Sequence, residues 1–424
     1  GAGAYTVNVG SAANNLDTIL GELFIQGGTA NSTVNINDQG NAVATIYNLA
    51  RTSGTSARVE RIGAALINYL NPGIATVNLN GGSGGNTFNV DSSISGTTVN
   101  MFMGTGSDVA NFGNAANSLS DLVGPVNAIG QGGVNNVFFN DQGTATRQNY
   151  NLTTTTLTRS GTAALGYSGM ATLTLNIANT PALNNVFING AGAGITTING
   201  GIADNNYMLN ATNASAVTIN GGPASDQFVI NGTGTGVTTL NGFDGLNSFF
   251  VQSSVFNTPG LIRLNGGAGN DHFNFRNGGA MANGIIDGGV SGGDLLNYGG
   301  YTISTPIPTN VLGNIRILRG GLGNNLLVGN NLGNVIAGGI AGTTTIIGGN
   351  GVNTLYGGSA RARITSGLNA DTILLDSCNQ VRPGALTGVS ITLRSPLARI
   401  SVRIRPFDFR LDPFITPRAQ RPMT

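Results

Sequence analysis

Ile198-Asn199-Gly200-Gly201, Ile219-Asn220-Gly221-Gly222, Leu240-Asn241-Gly242, Leu264-Asn265-Gly266-Gly267 and Ile286-Asp287-Gly288-Gly289 are five versions of one phrase: an apolar residue, an amide or carboxyl side chain, then glycine. Positions 199, 220, 241, 265 and 287 follow one another at 21, 21, 24 and 22 residues. A segment of that length holds two or three strands of about five residues with Gly turns between them, which is one coil of a solenoid. One coil cannot bury its apolar face alone, but coils stacked ~4.8 Å apart make continuous sheets around an apolar interior. The expected fold is therefore all-β, a parallel β-solenoid of the β-helix or β-roll kind. Ile219, Phe228, Ile230, Val237 and Leu240 are expected to point inward and to meet their counterparts in the next coil. Glycine supplies the positive φ that corners need. Asparagine tolerates the same region, and in register its amides can hydrogen-bond up the stack as a ladder.

The theme spreads outward from there. Val77-Asn78-Leu79-Asn80-Gly81-Gly82 leads to Phe88-Asn89-Val90. Asn37-Asp38-Gln39-Gly40 returns 103 residues later as Asn140-Asp141-Gln142-Gly143, and the Arg61…Tyr69…Leu79-Asn80 series returns as Arg159…Tyr167…Leu175-Asn176, which indicates a duplicated module of several coils. From about 318 the units shorten to near-nonapeptides such as Gly348-Gly349-Asn350-Gly351-Val352-Asn353-Thr354-Leu355. Three regions follow: 1–72, an N-terminal β segment with a short capping helix within 14–24; 73–378, the Gly/Asn-rich solenoid; and 379–424, an Arg/Pro-rich C-terminal β extension. That last region holds six of 13 prolines and eight of 19 arginines, and it alternates polar and apolar residues over 399–405 and 407–412 on either side of Pro406. Period two there reads as two amphipathic strands.

Composition narrows the function classes. Gly is 68 of 424 without a Gly-X-Y period, which excludes collagen. Hydrophobic residues are 40%, charged residues only 9% and the net charge is +1, so the chain has the apolar content to fold and lacks the charge of a disordered one. The single cysteine, Cys378, excludes an internal disulfide framework. No run of 18 apolar residues occurs, so no membrane span is expected. The Gly-Ala-Gly-Ala start reads as a mature one, with any leader already removed. Lysine is absent, and with it any phosphate loop ending in Gly-Lys-Ser/Thr. The tail aromatics Phe407, Phe409 and Phe414 are interleaved with Asp as well as Arg, which fits packed strands and not a nucleic-acid interface.

Gly266-Gly267-Ala268-Gly269-Asn270-Asp271-His272-Phe273 and Gly349-Asn350-Gly351-Val352-Asn353-Thr354-Leu355 resemble the hemolysin-type (RTX) nonapeptide G-G-x-G-x-D-x-U-x. More broadly, the Gly/Asn-rich coils look like those of large bacterial surface proteins, with the resemblance covering roughly 75–375. It implies a secreted β-roll or β-helix, often with Ca²⁺ between turns, and it gives Asp271 as the candidate calcium ligand. The chain departs from that pattern where calcium chemistry resides, because Asn86, Asn325, Asn334 and Asn353 stand where the family has Asp. Calcium wants several hard oxygens with carboxylate charge among them. Asn at these positions points instead to stacking by amides, and no cofactor is expected beyond that one candidate.

No enzyme is expected. His272 is the only histidine and alternates outward on its strand, so a Ser/His/Asp site has no other base to use. Asp204, Asp226 and Asp244 are the carboxylates that a polysaccharide lyase or hydrolase would need on one face. Asn31, Asn151, Asn210, Asn213 and Asn231 begin Asn-x-Ser/Thr sequons and are candidate glycosylation sites. The expected role is an extracellular, cell-surface structural protein whose partner is itself. Solenoid ends expose unpaired strand edges, and Val7, Val9, Ile400, Val402, Ile404, Phe407 and Phe409 are the candidate assembly residues. The alternative role is an adhesin or stalk that binds surface glycans.

Overall fold

The computed structural model describes residues 3–252, 260–276, 284–291, 293–300, 311–312, 315–322, 324–339, 341–358, 361–366, 369, 371–375, 380–382, 390–393 and 401–402. The chain is an all-β parallel solenoid. Its strands alternate between two faces, a 19-stranded sheet on one and a 14-stranded sheet on the other, and a 5-stranded sheet takes over opposite the first at the C-terminal end. Strand β1 (Thr6–Val9) lies on the first face, β2 (Leu23–Gln26) on the second, and β3 (Ser32–Asn37) returns beside β1 in parallel register.

The capping helix expected within 14–24 is not formed. Residues 11–20 are turns, and no helix occurs among the described residues. The Ser11 hydroxyl accepts from the backbone N–H groups of Ala13 and Asn15, and Asn14 takes φ 52°. Such side-chain bonds compete with helical ones, and the left-handed residue stops a helix outright. The segment still caps the core: Leu16 is fully buried and its N–H donates to Asp38 Oδ1 at 2.9 Å.

The duplicated module is a structural unit with a change of face. In the first copy β4 (Ile46–Arg51), β5 (Ser56–Arg61) and β6 (Leu66–Leu70) form an antiparallel meander inserted into the second sheet, before β7 (Ile74–Asn80) pairs with β3. Then come β8 (Thr87–Val90) and β9 (Thr98–Phe102). The second copy opens with β10 (Val109–Phe112), β11 (Val126–Ile129) and β12 (Asn136–Asn140). Its meander is β13 (Asn149–Leu152), β14 (Thr156–Arg159) and β15 (Leu165–Ser168), and β16 (Thr172–Asn176) returns beside β12. The copies start nine strands apart, an odd number, so the second meander lies in the 19-stranded sheet and the first in the 14-stranded one. Each meander lengthens one face by two strands at ~4.8 Å apiece, and placing them on opposite faces offsets one wedge with the other. Each copy also carries the same buried ionic cluster. Asp38 meets Arg61 Nε at 3.0 Å and Tyr47 Oη at 2.6 Å; Asp141 meets Arg159 Nε at 2.9 Å and accepts from Tyr150.

Beyond the modules, plain coils stack in strict register. Tyr207, Phe228, Phe249 and Phe273 lie above one another with ring centroids 5.1, 4.7 and 4.8 Å apart and nearly parallel planes. Ile198, Ile219, Leu240, Leu264 and Ile286 form the facing apolar column. Val237, expected inside, is 42% exposed. The strand begins at Thr238, which pairs with Val217 and takes the inward place, so Val237 falls on the outer side. On that outer side the expected amide ladder is present: Asn176, Asn199, Asn220, Asn241 and Asn265 each donate Nδ2–H to Oδ1 of the coil before, at 2.7–2.9 Å, starting from Asn140.

The two glycines of the repeated phrase have different duties. The second, at 222, 267 and 289, has φ of 129°, 109° and 100°, a region closed to most side chains. The first, at 221, 266 and 288, has no room for a Cβ, which would sit 2.4 Å from a carboxyl oxygen of Asp226, Asp271 and Asp294 respectively.

Candidate functional site: the open edge and the buried column

Those three carboxyls belong to a column of Asn and Asp that runs inside the solenoid at the start of successive strands, here those at 206–209, 227–230, 248–251, 272–276 and 294–300. Asn205 N–H donates to Asp226 Oδ1 at 2.7 Å, Asp226 N–H to Asn247 Oδ1 at 2.9 Å, Asn247 N–H to Asp271 Oδ1 at 2.8 Å and Asp271 N–H to Asp294 Oδ1 at 2.8 Å. The same link joins Asn86 to Asp108, Asp108 to Asn135, Asn334 to Asn353 and Asn353 to Asp371. One side-chain oxygen thus satisfies the orphan N–H at each turn, a task that Asn and Asp perform equally.

The second side-chain atom separates them. Where the residue is Asn, Nδ2 donates to carbonyl oxygens: Asn247 to those of Asp244 (3.1 Å) and Gly266 (3.4 Å), Asn86 to that of Gly82 (3.0 Å). Where it is Asp, the equivalent Oδ2 of Asp108, Asp226, Asp271 and Asp294 is buried without a hydrogen-bond partner. An ionised oxygen in that place is penalised by desolvation. Burial accordingly pushes Asp226 up to about 7, against two lowering bonds from Asn205 and with Asp204 adding a little in the same direction. Burial likewise pushes Asp294 up to about 6, helped by the neighbouring Asp271 and Asp287 and opposed by Arg316, and it raises Asp108 and Asp271.

Asp271, the residue that the nonapeptide resemblance gives to calcium, is fully buried in this column. Its neighbour in the next coil is Asp294, a carboxylate the sequence reading missed because the run from Gly288 to Asp294 is one residue longer than that from Gly266 to Asp271. Calcium takes about six to eight oxygens. Here Oδ1 is engaged by a backbone N–H, and Oδ2 packs against Gly266 so closely that not even a methyl group fits. The surroundings do not fit a calcium ion, and no group of three His, Cys, Asp or Glu able to hold a metal occurs among the described residues.

The other carboxylates considered for glycan chemistry are not brought together. Asp226 is inside, whereas Asp204 and Asp244 are exposed on the turn line outside, Asp204 accepting from Ser225 N–H at 3.0 Å. His272 is half-buried, between Ser248 and Leu295 of the adjacent strands. Among the sequon asparagines, Asn31, Asn210 and Asn213 are exposed. Asn151, Asn210 and Asn231 share one outer ladder through Asn189, with bonds of 2.6–2.8 Å, so their amides already hold coil to coil.

The assembly candidates divide by end. Val7 and Val9 lie in β1, whose only partner among the described strands is β3; β2 likewise pairs only with β6. Val9 is buried, while Val7, Ile19, Leu23 and Ile25 are only partly covered against the core, and Tyr5, Leu20 and Phe24 are exposed. Tyr5 C=O accepts from Thr33 N–H, and alternation along a parallel ladder then directs the backbone groups of Thr6 and Asn8 away from the chain. At the other end, strands 380–382, 390–393 and 401–402 pair in parallel with strands of the same chain, Val402 opposite Val381. Ile400, Ile404, Phe407 and Phe409 lie outside the described residues. No helix among the described residues is long and apolar enough to cross a membrane. No family model and no curated protein matches the chain.

Proposed function

We propose that this chain is a structural protein of the extracellular surface or matrix that assembles end to end, by parallel addition of another copy's coil to the edge formed by β1 and β2. The observation that carries the reading is that edge: among the described residues β1 and β2 each have a partner strand on one side only, over a partly open apolar core. Such an edge is a template for strand addition. The ladder adds direction. Asn35 donates to Asn8 Oδ1 at 2.8 Å, and the further bonds of this ladder, Asn78 to Asn35, Asn100 to Asn78 and Asn127 to Asn100, also run from later coil to earlier. Asn8 is the first member and has no described coil before it to receive its amide hydrogens. An incoming edge that offers acceptors completes the ladder, which makes the contact heterologous and the product a polar filament.

The test is Thr6→Pro combined with Phe24→Lys. Neither change touches the interior: Thr6 is exposed with its N–H directed outward, and Phe24 is 70% exposed. Electron microscopy across a concentration series should show filaments for the parent and monomers for the variant. A parent that stays monomeric throughout, or a variant that polymerises equally well, would overturn the reading.

A further inference from the structure

The outer face of the first meander holds a concavity of about 350 Å³ with an unusual lining for this chain. Two outward columns build it. In one, Glu60, Asn48, Asn89 and Asn111 lie side by side, with amide bonds of 3.3, 3.0 and 3.0 Å between successive members. In the other, Arg58 is paired with Ala50, and Asp91 and Gly113 follow along the next strands, so that two small residues leave a depression beside the two charged ones. In a chain with only 9% charged residues, one of just two glutamates, an arginine and a half-buried aspartate converge on this spot. Arg58 takes part in none of the ion pairs found among the described residues.

The duplicated module supplies an internal comparison. Tyr47 and Tyr150 are equivalent, and the strand registers then place Thr158 where the first copy has Glu60, Thr156 for Arg58, Thr153 for Ala50, Asn189 for Asp91 and Phe187 for Asn89. In the second copy Thr153 and Thr156 join hydroxyl to hydroxyl at 2.7 Å across the place where the first copy is open. The fold therefore needs neither the charges nor the hollow, and a role in stability does not account for them.

We propose that the groove formed by Arg58, Glu60, Asp91 and the Asn48–Asn89–Asn111 ladder is a binding site for a neutral or amino-bearing oligosaccharide. The lining contains carboxylates and a guanidinium able to engage adjacent hydroxyls in pairs, and amides that offer donor and acceptor together. None of the residues that line it is aromatic, so it offers no face for a nucleobase. Its formal charge, one cation against two carboxylates, repels anionic polymers. The site is on the side of the solenoid and is independent of end-to-end assembly.

The experiment is titration calorimetry of the full chain against neutral hexasaccharides built on glucose, mannose, galactose and N-acetylglucosamine, against a glucosamine hexamer, and against oligogalacturonate. The partner variant is Arg58→Thr/Glu60→Thr/Asp91→Asn, which carries the residue types that the second copy holds in the same lattice positions; circular dichroism verifies that it folds. The expected result is saturable binding to at least one neutral or amino-bearing hexamer, weakened tenfold or more in the variant, with oligogalacturonate silent. Absence of binding across the panel, equal binding by the folded variant, or preference for oligogalacturonate would each overturn the proposal.

Discussion

Replacing Arg159 with methionine will destabilise the second module by about 3–5 kcal/mol, the range for stranding one member of a buried ion pair. Arg159 is 4% exposed and Asp141 fully buried, and the guanidinium holds both carboxylate oxygens, Nε at 2.9 Å and Nη2 at 3.1 Å. It also ties in Thr144 and Ser120, while Asp141 secures the Leu119 N–H at 3.0 Å from the turn of the coil before. Removing the cation leaves a carboxylate with no route to water. Hydrogen exchange should show the loss locally, as faster exchange at Leu119 and at Ala178, whose N–H is held by Tyr150 at 2.8 Å. The double variant Asp141→Asn/Arg159→Met should recover most of the loss, because it removes the desolvated charge while the amide oxygen still accepts from the Leu119 N–H. A single variant within about 1 kcal/mol of the parent, well below the range for breaking a buried pair, would mean that the cluster does not hold the turn.

Asp226→Asn will do the opposite and stabilise the chain, in a pH-dependent way. The native protein keeps the Asp226 proton up to about pH 7, whereas the unfolded chain releases it near 3.8. Between those values the folded state binds more protons than the unfolded one, so this residue's contribution falls as pH rises through the window and is flat above it. A displacement from 3.8 to about 7 is equivalent to roughly 4 kcal/mol at most. The amide variant carries no such penalty, and Asn205 and Asn247 already occupy the same place in the coils on either side. Urea unfolding of parent and variant from pH 4 to pH 8 should give curves that coincide at the acid end and separate by a few kcal/mol at the alkaline end. The difference between them is the informative quantity, since buried acids that form ion pairs, Asp38 and Asp141, remain common to both. Curves that stay together at pH 8 would show that Asp226 is not held as a neutral acid.

The sequence was most legible where a rule of spacing meets a rule of sterics. The steps between Asn199, Asn220, Asn241 and Asn265 announced the coil, and the apolar alternation around Ile219, Phe228 and Ile230 announced the interior. Val237 misled because alternation is counted from a strand's first residue, which the turn before it decides. The helix expected within 14–24 failed because Ser11 bonds to the local backbone and Asn14 takes a left-handed φ, neither of which composition reveals. The outer ladder was legible from the recurrence of Asn just before the glycines of the repeated phrase, but the inner column was not. Its members look like turn residues in sequence, and only stacking shows that Asp226 and Asn247 share one task. The groove was hidden for a related reason: Glu60 and Asp91 are 31 residues apart and line one groove only because the meander folds β5 back onto β4, whose other edge pairs with β8.

The amide ladder, the inner column and the open edge all require consecutive coils to lie in parallel register, one above the next. Thr197, Thr218 and Thr239 occupy one outward column, 197 opposite 218 and 218 opposite 239. Neighbouring strands ~4.8 Å apart place such Cα pairs within the span of about 4.4–6.8 Å that a disulfide bridges, and strands two coils apart do not. With Cys378→Ser as background, mild oxidation of the folded monomer should close an intramolecular disulfide rapidly in Thr197→Cys/Thr218→Cys. It should leave Thr197→Cys/Thr239→Cys as free thiols. Bridging in the second pair and none in the first would contradict the stacked register on which the ladder, the column and the open edge all depend.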